Sequence, residues 1–285
     1  MKEVVVLSGK GGTGKTSITG CFAVLARNKV LADCDVDAAD LHLLLNPEAR
    51  RTEEFWSGQS ACIDENICNG CGLCEEICRF DAIRNLKVDP TACEGCGFCS
   101  RICPVEAISM LNNLAGHWYI SDTKYGSLVH ARLGIAQENS GKLVALVRQQ
   151  ARQLAEAAQH TSIITDGPPG IGCPVISSLS GADLALLVTE PTVSGIHDLE
   201  RVIGVCRHFQ VPATVCVNKY DINEEKASEI KQYCTNNGIQ VAGEIPFDTS
   251  VNQAVTLGLP LVEYNDGPAS RAVKQLWNNL EKFFQ

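Results

Sequence analysis

Apolar positions along this chain switch between two periods, and the switches outline its elements. The unbroken run Val4-Val5-Val6-Leu7 has the form of a strand buried on both faces. After a glycine-rich stretch, Ile18, Phe22 and Leu25 recur at helical spacing, which predicts a helix over 15–27. Val30-Leu31-Ala32 reads as a short second strand ending in acids, and 48–60 as a polar, aromatic-dotted connector. Order resumes with a strand over 127–133. The segment Glu138-Asn139-Ser140-Gly141-Lys142 follows, then a helix carrying Leu143, Leu146, Val147, Gln150, Leu154 and Ala158. Next comes the strand Ile163-Ile164-Thr165-Asp166; then strands over 184–189, 213–217 and 239–245 alternate with helices over 195–209, 224–236 and 250–257. This alternation predicts an α/β fold with a doubly wound, mainly parallel sheet. The last helix (Ala272, Val273, Leu276, Trp277, Leu280, Phe283, Phe284) has a polar face of mixed charge. Docking on the sheet is therefore expected over lying on a membrane.

The stretch after the first strand, Gly9-Lys10-Gly11-Gly12-Thr13-Gly14-Lys15-Thr16 with Ser17 behind it, fits G-x-x-x-x-G-K-[ST]. Glycines let backbone N–H groups approach phosphate oxygens, and the helix beyond presents its positive end to the same anion. Lys15 is expected to reach the β/γ-phosphates of ATP, and the Thr16 hydroxyl to bind Mg²⁺. Asp33 and Asp35, at the carboxyl end of the second strand, would point into the same crevice. Asp35 is the candidate to orient the attacking water, with Asp33 in the outer Mg²⁺ shell. Helix capping is the competing reading, and the preferred one for Asp37 and Asp40. Asp166 holds the Walker B position, and the loop Gly167-Pro168-Pro169-Gly170-Ile171-Gly172-Cys173-Pro174 has the composition of a γ-phosphate sensor. Asn218-Lys219-Tyr220-Asp221 lies where a base could rest, with Asn218 as its hydrogen-bond partner. The N-K-x-D pattern also occurs in guanine-specific GTPases, and a plain turn is the alternative. Backbone of the segment from Pro246 to Asp248 would complete the base pocket.

Cysteine usage adds a second chemistry. Of fifteen cysteines, eight fall between Cys68 and Cys103 in two copies of C-x-x-C-x-x-C-x-x-x-C. In this ferredoxin spacing each run gives three thiolates to one cluster and its fourth to the other. Cys68, Cys71, Cys74 and Cys103 are thus assigned to one [4Fe-4S] cluster, and Cys93, Cys96, Cys99 and Cys78 to the second. Zinc is the rival metal. Arg79 stands where a proline usually follows the run, and Cys62 falls outside the spacing as a free thiol. The expected organisation is an ATPase portion (1–59 and 110–285) with a ferredoxin-like α+β insertion over 60–109. A net charge of -9 with no basic stripe argues against nucleic acid as the main partner. Without a leader or a long apolar run, the chain reads as cytoplasmic.

With Lys10 inside the loop as well as Lys15, the motif resembles the deviant Walker A of the MinD/ParA/Mrp ATPases. The inserted cysteine block narrows the resemblance to members carrying a ferredoxin domain. The resemblance implies a nucleotide-sandwich dimer, with itself or with a related ATPase, in which Lys10 contacts phosphates bound by the other subunit. It also resembles the nitrogenase iron protein, where a cysteine after the Walker B aspartate ligates a shared cluster. Cys173 matches in spacing, but no other cysteine lies between Cys103 and Cys173, so Cys34, Cys62 or a non-cysteine ligand would have to serve as its partner. Cys21, Cys206, Cys216 and Cys234 read as core thiols. Three functions are expected, in this order. The first is an ATP-hydrolysing redox protein that passes electrons through its clusters to a partner. The second is an assembly or carrier ATPase delivering a cluster to an acceptor protein, and the third a MinD-like positioning ATPase.

Overall fold

Successive residues of a strand point to opposite faces. In the first strand Val4 and Val6 enter one apolar core while Val5 and Leu7 enter another, so helices must cover both sides. The computed structural model that shows this describes residues 1–134 and 140–283, so the expectations placed on Glu138, Asn139 and Phe284 lie outside the described residues. In chain order the elements begin β1 (Lys2–Ser8), α1 (Lys15–Leu25), β2 (Lys29–Asp33), α2 (Leu41–Leu45), β3 (Glu48–Ile63) and α3 (Leu73–Ile77). They continue β4 (Ile83–Arg84), β5 (Lys87–Val88), α4 (Phe98–Ile102), β6 (Ile108–Thr123), β7 (Gly126–Leu133) and α5 (Ser140–Ala157). Then follow β8 (Ser162–Pro169), α6 (Cys173–Leu179), β9 (Leu184–Thr189), α7 (Val193–His208), β10 (Ala213–Asn218), a 3₁₀ turn (Tyr220–Ile222) and α8 (Glu224–Asn236). The chain closes with β11 (Gln240–Ile245), α9 (Ser250–Thr256), α10 (Leu261–Tyr264) and α11 (Pro268–Glu281).

Two compact units divide the chain. Met1–Thr52, Trp118–Arg132 and the described residues from Ser140 onward make the first, and Glu53–His117 with Leu133 and Gly134 the second. The sheet order is β11-β10-β9-β1-β8-β2-β7-β6-β3, and every pairing from β11 through β7 is parallel. β1 and β2 both flank β8, so the phosphate-loop strand, the acid-ended second strand and the Asp166 strand end side by side. One core buries Phe22 against Trp277, ring centroids 5.0 Å apart, together with Leu276 and Leu280 of α11. The last helix thus docks on the sheet as its amphipathic pattern predicts. Among the described residues no helix is long and apolar enough to cross a membrane.

Glu3 is a charge that the pattern of β1 does not announce. It is 3% exposed, and the Arg148 guanidinium grips both its oxygens at 2.7 Å. Arg152 adds a bond at 2.9 Å, and Thr165 donates its hydroxyl at 3.1 Å. Arg148 also donates to the carbonyls of Ser177 and Ser180, which ties α5 to the end of α6. Arg148→Met would leave a buried carboxylate with the half-exposed Arg152 as its cation, beside the Thr165 hydroxyl. A loss of about 3 kcal/mol in urea unfolding is expected, partly restored in the Glu3→Met/Arg148→Met double variant.

In the second unit, β4 and β5 form an antiparallel hairpin, and α3 packs on α4. Gly72 and Gly97 precede those two helices with φ of 76° and 70°, a left-handed conformation that glycine adopts without strain. The two cysteine runs therefore turn in the same way. A small core of Ala61, Cys74, Ile83, Cys99 and Ile108 holds the unit together. The structure departs from the sequence reading at its edges. The expected connector over 48–60 is part of the long strand β3, and β6 was not expected. Of β3 only Phe55 and Ala61 are buried, so no in/out alternation marks it as a strand. Because these strands run beyond the cysteine block, the second unit is wider than 60–109.

Candidate functional site

The loop between β1 and α1 is held open by contacts from outside it. Gly12 and Gly14 take φ of 80° and 89°. A side chain at Gly14 would collide with Asn218, whose Nδ2 donates to the Thr13 carbonyl at 2.7 Å. The Thr13 hydroxyl is buried and, among the described residues, finds no partner. A buried polar atom without a partner is costly, and an anion acceptor seated on the loop would supply one. The loop opens into a cavity of about 480 Å³ lined by Gly11 through Ser17, Asp35, Asp40, Asn218, Lys219 and the segment Ile245–Asp248. Its far wall is apolar, with Val251, Val255, Leu261 and Val273. Phosphate cradle at one end and apolar slot at the other suit a nucleotide. Gly9, Lys10, Asp33, Asp166, Asp221 and Cys173 do not line it.

Lys15 is 6% exposed and sits among carboxylates, 3.4 Å from Asp35 Oδ2 and 3.7 Å from Asp166 Oδ1. Burial alone would lower its pKa, but Asp166, Asp35 and Asp33 together outweigh burial and raise it, so the ammonium stays charged. Asp35 is shifted upward, first by burial, with Lys15 opposing. Asp33 is fully buried and pushed well above the carboxylate range by burial and then by Asp166. Its oxygens accept the backbone N–H groups of Asp35 (3.1 Å) and Leu41 (3.3 Å), so Asp33 pins the turn and caps α2. Asp40, at the N-cap position itself, makes no capping bond and faces the cavity.

Thr16 donates to Asp166 Oδ2 at 2.7 Å, and Thr19 to Oδ1 at 2.9 Å. Among the described residues no three His, Cys, Asp or Glu side chains converge as a complete single-ion site. Mg²⁺ does not ask for one, since it keeps several waters and takes one or two protein oxygens plus phosphate. The Thr16 hydroxyl and Asp166 fit that need.

The N-K-x-D residues bond to other parts of the protein. Asn218 holds Thr13; Lys219 donates to the Gly12 carbonyl (3.3 Å) and to Glu190 (3.2 Å). Asp221 accepts the Phe247 N–H at 2.7 Å and so fixes the 246–248 wall of the cavity. Asp221→Ala is expected to weaken adenine and guanine nucleotides alike by about fivefold, one hydrogen bond's worth. Competitive titration checks this; selective loss of the guanine nucleotide would mean that Asp221 reads the base.

Glu190, just past β9, is the site residue that the sequence reading passed over. Its Oε1 lies 2.7 Å from Lys10 Nζ, and its Oε2 takes Lys219. An acid at the carboxyl end of a strand is the same signal that singled out Asp33 and Asp166. Thr19 was missed for want of any such mark.

In the second unit Cys68, Cys71, Cys74 and Cys103 line one small cavity. Cys103 Sγ accepts the Ala107 N–H at 3.3 Å. The Cys74 thiol is shifted upward by burial, with Cys68 and Cys71 adding to it, and Cys99 stands likewise among Cys93 and Cys96. Cys78 packs with Cys93 against the same core. Elsewhere Cys21, Cys206, Cys216 and Cys234 are buried, as core thiols should be. Cys173 is exposed at the first position of α6, whereas Cys34 is 0% exposed and out of reach of a second subunit.

The family model of the CobQ/CobB/MinD/ParA nucleotide binding domain (CbiA) matches residues 4–261. An uncharacterised protein of Methanocaldococcus jannaschii is 33% identical over 285 residues, 99% of this chain and 97% of its own length. An iron-sulfur cluster carrier protein of Pyrococcus horikoshii is 28% identical over 152 residues, 47% of this chain and 51% of its own. In fold the chain is similar to the septum site-determining protein MinD of Pyrococcus horikoshii, solved with Mg-ADP. The TM-score is 0.61 at 19% identity, covering 99% of this chain and 96% of that one. Phosphate loop, parallel sheet and a family match from the first strand to α10 lead to one assignment: the chain belongs to the CobQ/CobB/MinD/ParA nucleotide-binding family.

Proposed function

We propose that this protein is a cytoplasmic ATP-hydrolysing iron-sulfur protein in which nucleotide-dependent pairing of two subunits controls electron transfer through two [4Fe-4S] clusters to a partner protein. The observation that carries the iron-sulfur part is the cavity shared by Cys68, Cys71, Cys74 and Cys103. It joins three thiols of one run to the last thiol of the other, which is the cross-ligation that two-cluster spacing requires. A cubane takes one thiolate per iron, so its ligands surround a cavity rather than converge on a point. Cys93, Cys96, Cys99 and Cys78 would hold the second cluster, within a ferredoxin-like insertion that lies inside the second unit. All fifteen cysteines are unpaired, in keeping with a reducing compartment.

In the first unit Lys15 would neutralise charge developing on the γ-phosphate, with Lys10 doing so from the second subunit, and Asp35, on the cavity wall, would orient the water. Thr16 and Asp166 would hold Mg²⁺, which supplies Lewis-acid charge neutralisation when bound. Asp166 directly precedes the 167–173 segment, so metal occupancy could reach α6. To test the reading, reconstitute the protein anaerobically and count iron. Then measure cluster potentials with ADP and with a non-hydrolysable ATP analogue. About eight irons per chain and a nucleotide-dependent potential are expected; identical potentials would sink the coupling.

A second reading, an ATP-dependent carrier that hands a cluster to an acceptor protein, draws on the relative named an iron-sulfur cluster carrier. Cluster transfer to an apo-acceptor faster than spontaneous loss would favour it.

A further inference from the structure

Three lysines surround the phosphate loop, and each already has a carboxylate. Lys15 has Asp35 and Asp166, while Lys10 and Lys219 share Glu190, one on each oxygen at 2.7 and 3.2 Å. The second pairing is not a requirement of packing. Lys10 and Lys219 side chains are both 31% exposed, and Glu190 17%, so water could satisfy all three. Lys10 is held in an otherwise poor place. Its ammonium lies 3.1 Å from Ser194 Oγ and 3.4 Å from Thr192 Oγ1, beside the N-terminus of α7, where Thr192 caps the helix by accepting the Gly195 N–H. A helix N-terminus carries partial positive charge and disfavours a cation. The Glu190 carboxylate is what offsets that. Burial would raise its pKa, but the hydrogen bonds from Lys10 and Lys219 more than reverse this and hold it below the ordinary glutamate value. Through Lys219, which also donates to the Gly12 carbonyl, the same carboxylate is joined to the far side of the loop.

We propose that Glu190 is a built-in competitor of phosphate, a latch that holds Lys10 and Lys219 while the loops are empty and surrenders them when nucleoside triphosphate binds, Lys219 beside this chain's own cavity and Lys10 to the phosphates held by a second subunit. The proposal rests on the nucleotide-binding reading of the cavity and adds a threshold to it. Part of the binding energy goes into opening the Glu190 pairings, so affinity is lower than the loop alone would give. Glu190 is thus a positioning residue, acting on the nucleotide through two lysines.

The test uses the full chain and fluorescent ATP and ADP analogues. Glu190→Gln keeps the shape and removes the charge; it should bind the triphosphate about five- to tenfold more tightly and melt at a lower temperature when empty. These opposite signs separate a latch from a merely structural contact, whose loss would weaken both. Asp198→Asn is the charge control, because Asp198 packs against Gly9 yet pairs with His197 and Arg201. It should shift affinity less than about twofold, as a screened charge would. Should Glu190→Gln fold poorly, Glu190→Asp, which withdraws the carboxylate by one methylene, should tighten binding in the same direction. Unchanged or weaker binding by the Glu190 variants, or equal tightening by Asp198→Asn, would overturn the latch. A wild-type protein that binds neither analogue would overturn the nucleotide reading beneath it.

Discussion

Lys15→Met is expected to reduce ATP turnover by about 100- to 1000-fold, the loss typical of removing one preorganised charge from a transition state. It should also change how stability depends on pH, which separates an electrostatic role from a steric one. In the folded protein Asp33 and Asp35 bind their protons more tightly than in the unfolded chain, burial being the largest cause for each. For a carboxyl raised in this way, stability falls as pH rises from the unfolded value through the folded one. Lys15 opposes both shifts, and its own raised pKa means that its contribution is whole below the unfolded lysine value and lost only as pH rises through the folded one. Without the ammonium, Asp33 and Asp35 should climb further. The variant should therefore lose more stability near pH 8 than near pH 5, by about 1 to 3 kcal/mol in chemical denaturation. An equal loss at both pH values would show that Asp33 and Asp35 do not depend on Lys15.

What the sequence disclosed here follows from how local each signal is. The phosphate loop, β1 and the paired cysteine runs are written in contiguous residues, and the parallel strands β8, β9 and β10 each carry an apolar run, so all were legible. The sheet beyond β7 was not. β3 is a strand by backbone pairing with only Phe55 and Ala61 buried, and β6 shows alternation only around Trp118 and Ile120, after a mostly exposed first half. Roles assigned by long-range partners were also hidden. In the N-K-x-D stretch the Asp221 carboxylate meets Phe247 and the Asn218 amide meets Thr13, partners that no spacing along the chain announces. Asp33 looked like part of a metal shell, and its oxygens meet backbone N–H groups. Glu190 and the Glu3–Arg148 pair depend on partners up to 180 positions away, as Lys10 and Glu190 show. No window along the chain contains both members of such a pair.

Cys103→Ala should remove the cluster of the first run while sparing that of its own. This crossed outcome distinguishes two interlocked cubanes from two independent sites. Cys103 follows Cys93, Cys96 and Cys99 in sequence, but the cavity it lines belongs to Cys68, Cys71 and Cys74. A site built run by run would lose the second cluster instead. After anaerobic reconstitution the single variant should hold about four irons rather than eight. Adding Cys68→Ala should then cost nothing more, because both thiols serve one cluster, whereas adding Cys96→Ala should empty the protein. Non-additivity of the first pair and additivity of the second is the pattern expected of shared and separate ligand sets. The Ala107 N–H, which now donates to Cys103 Sγ, should also lose its partner, and its amide resonance offers a readout independent of iron. If Cys103→Ala and Cys68→Ala each remove about four irons and together remove all eight, the crossed assignment is wrong and the ligand sets must be redrawn run by run.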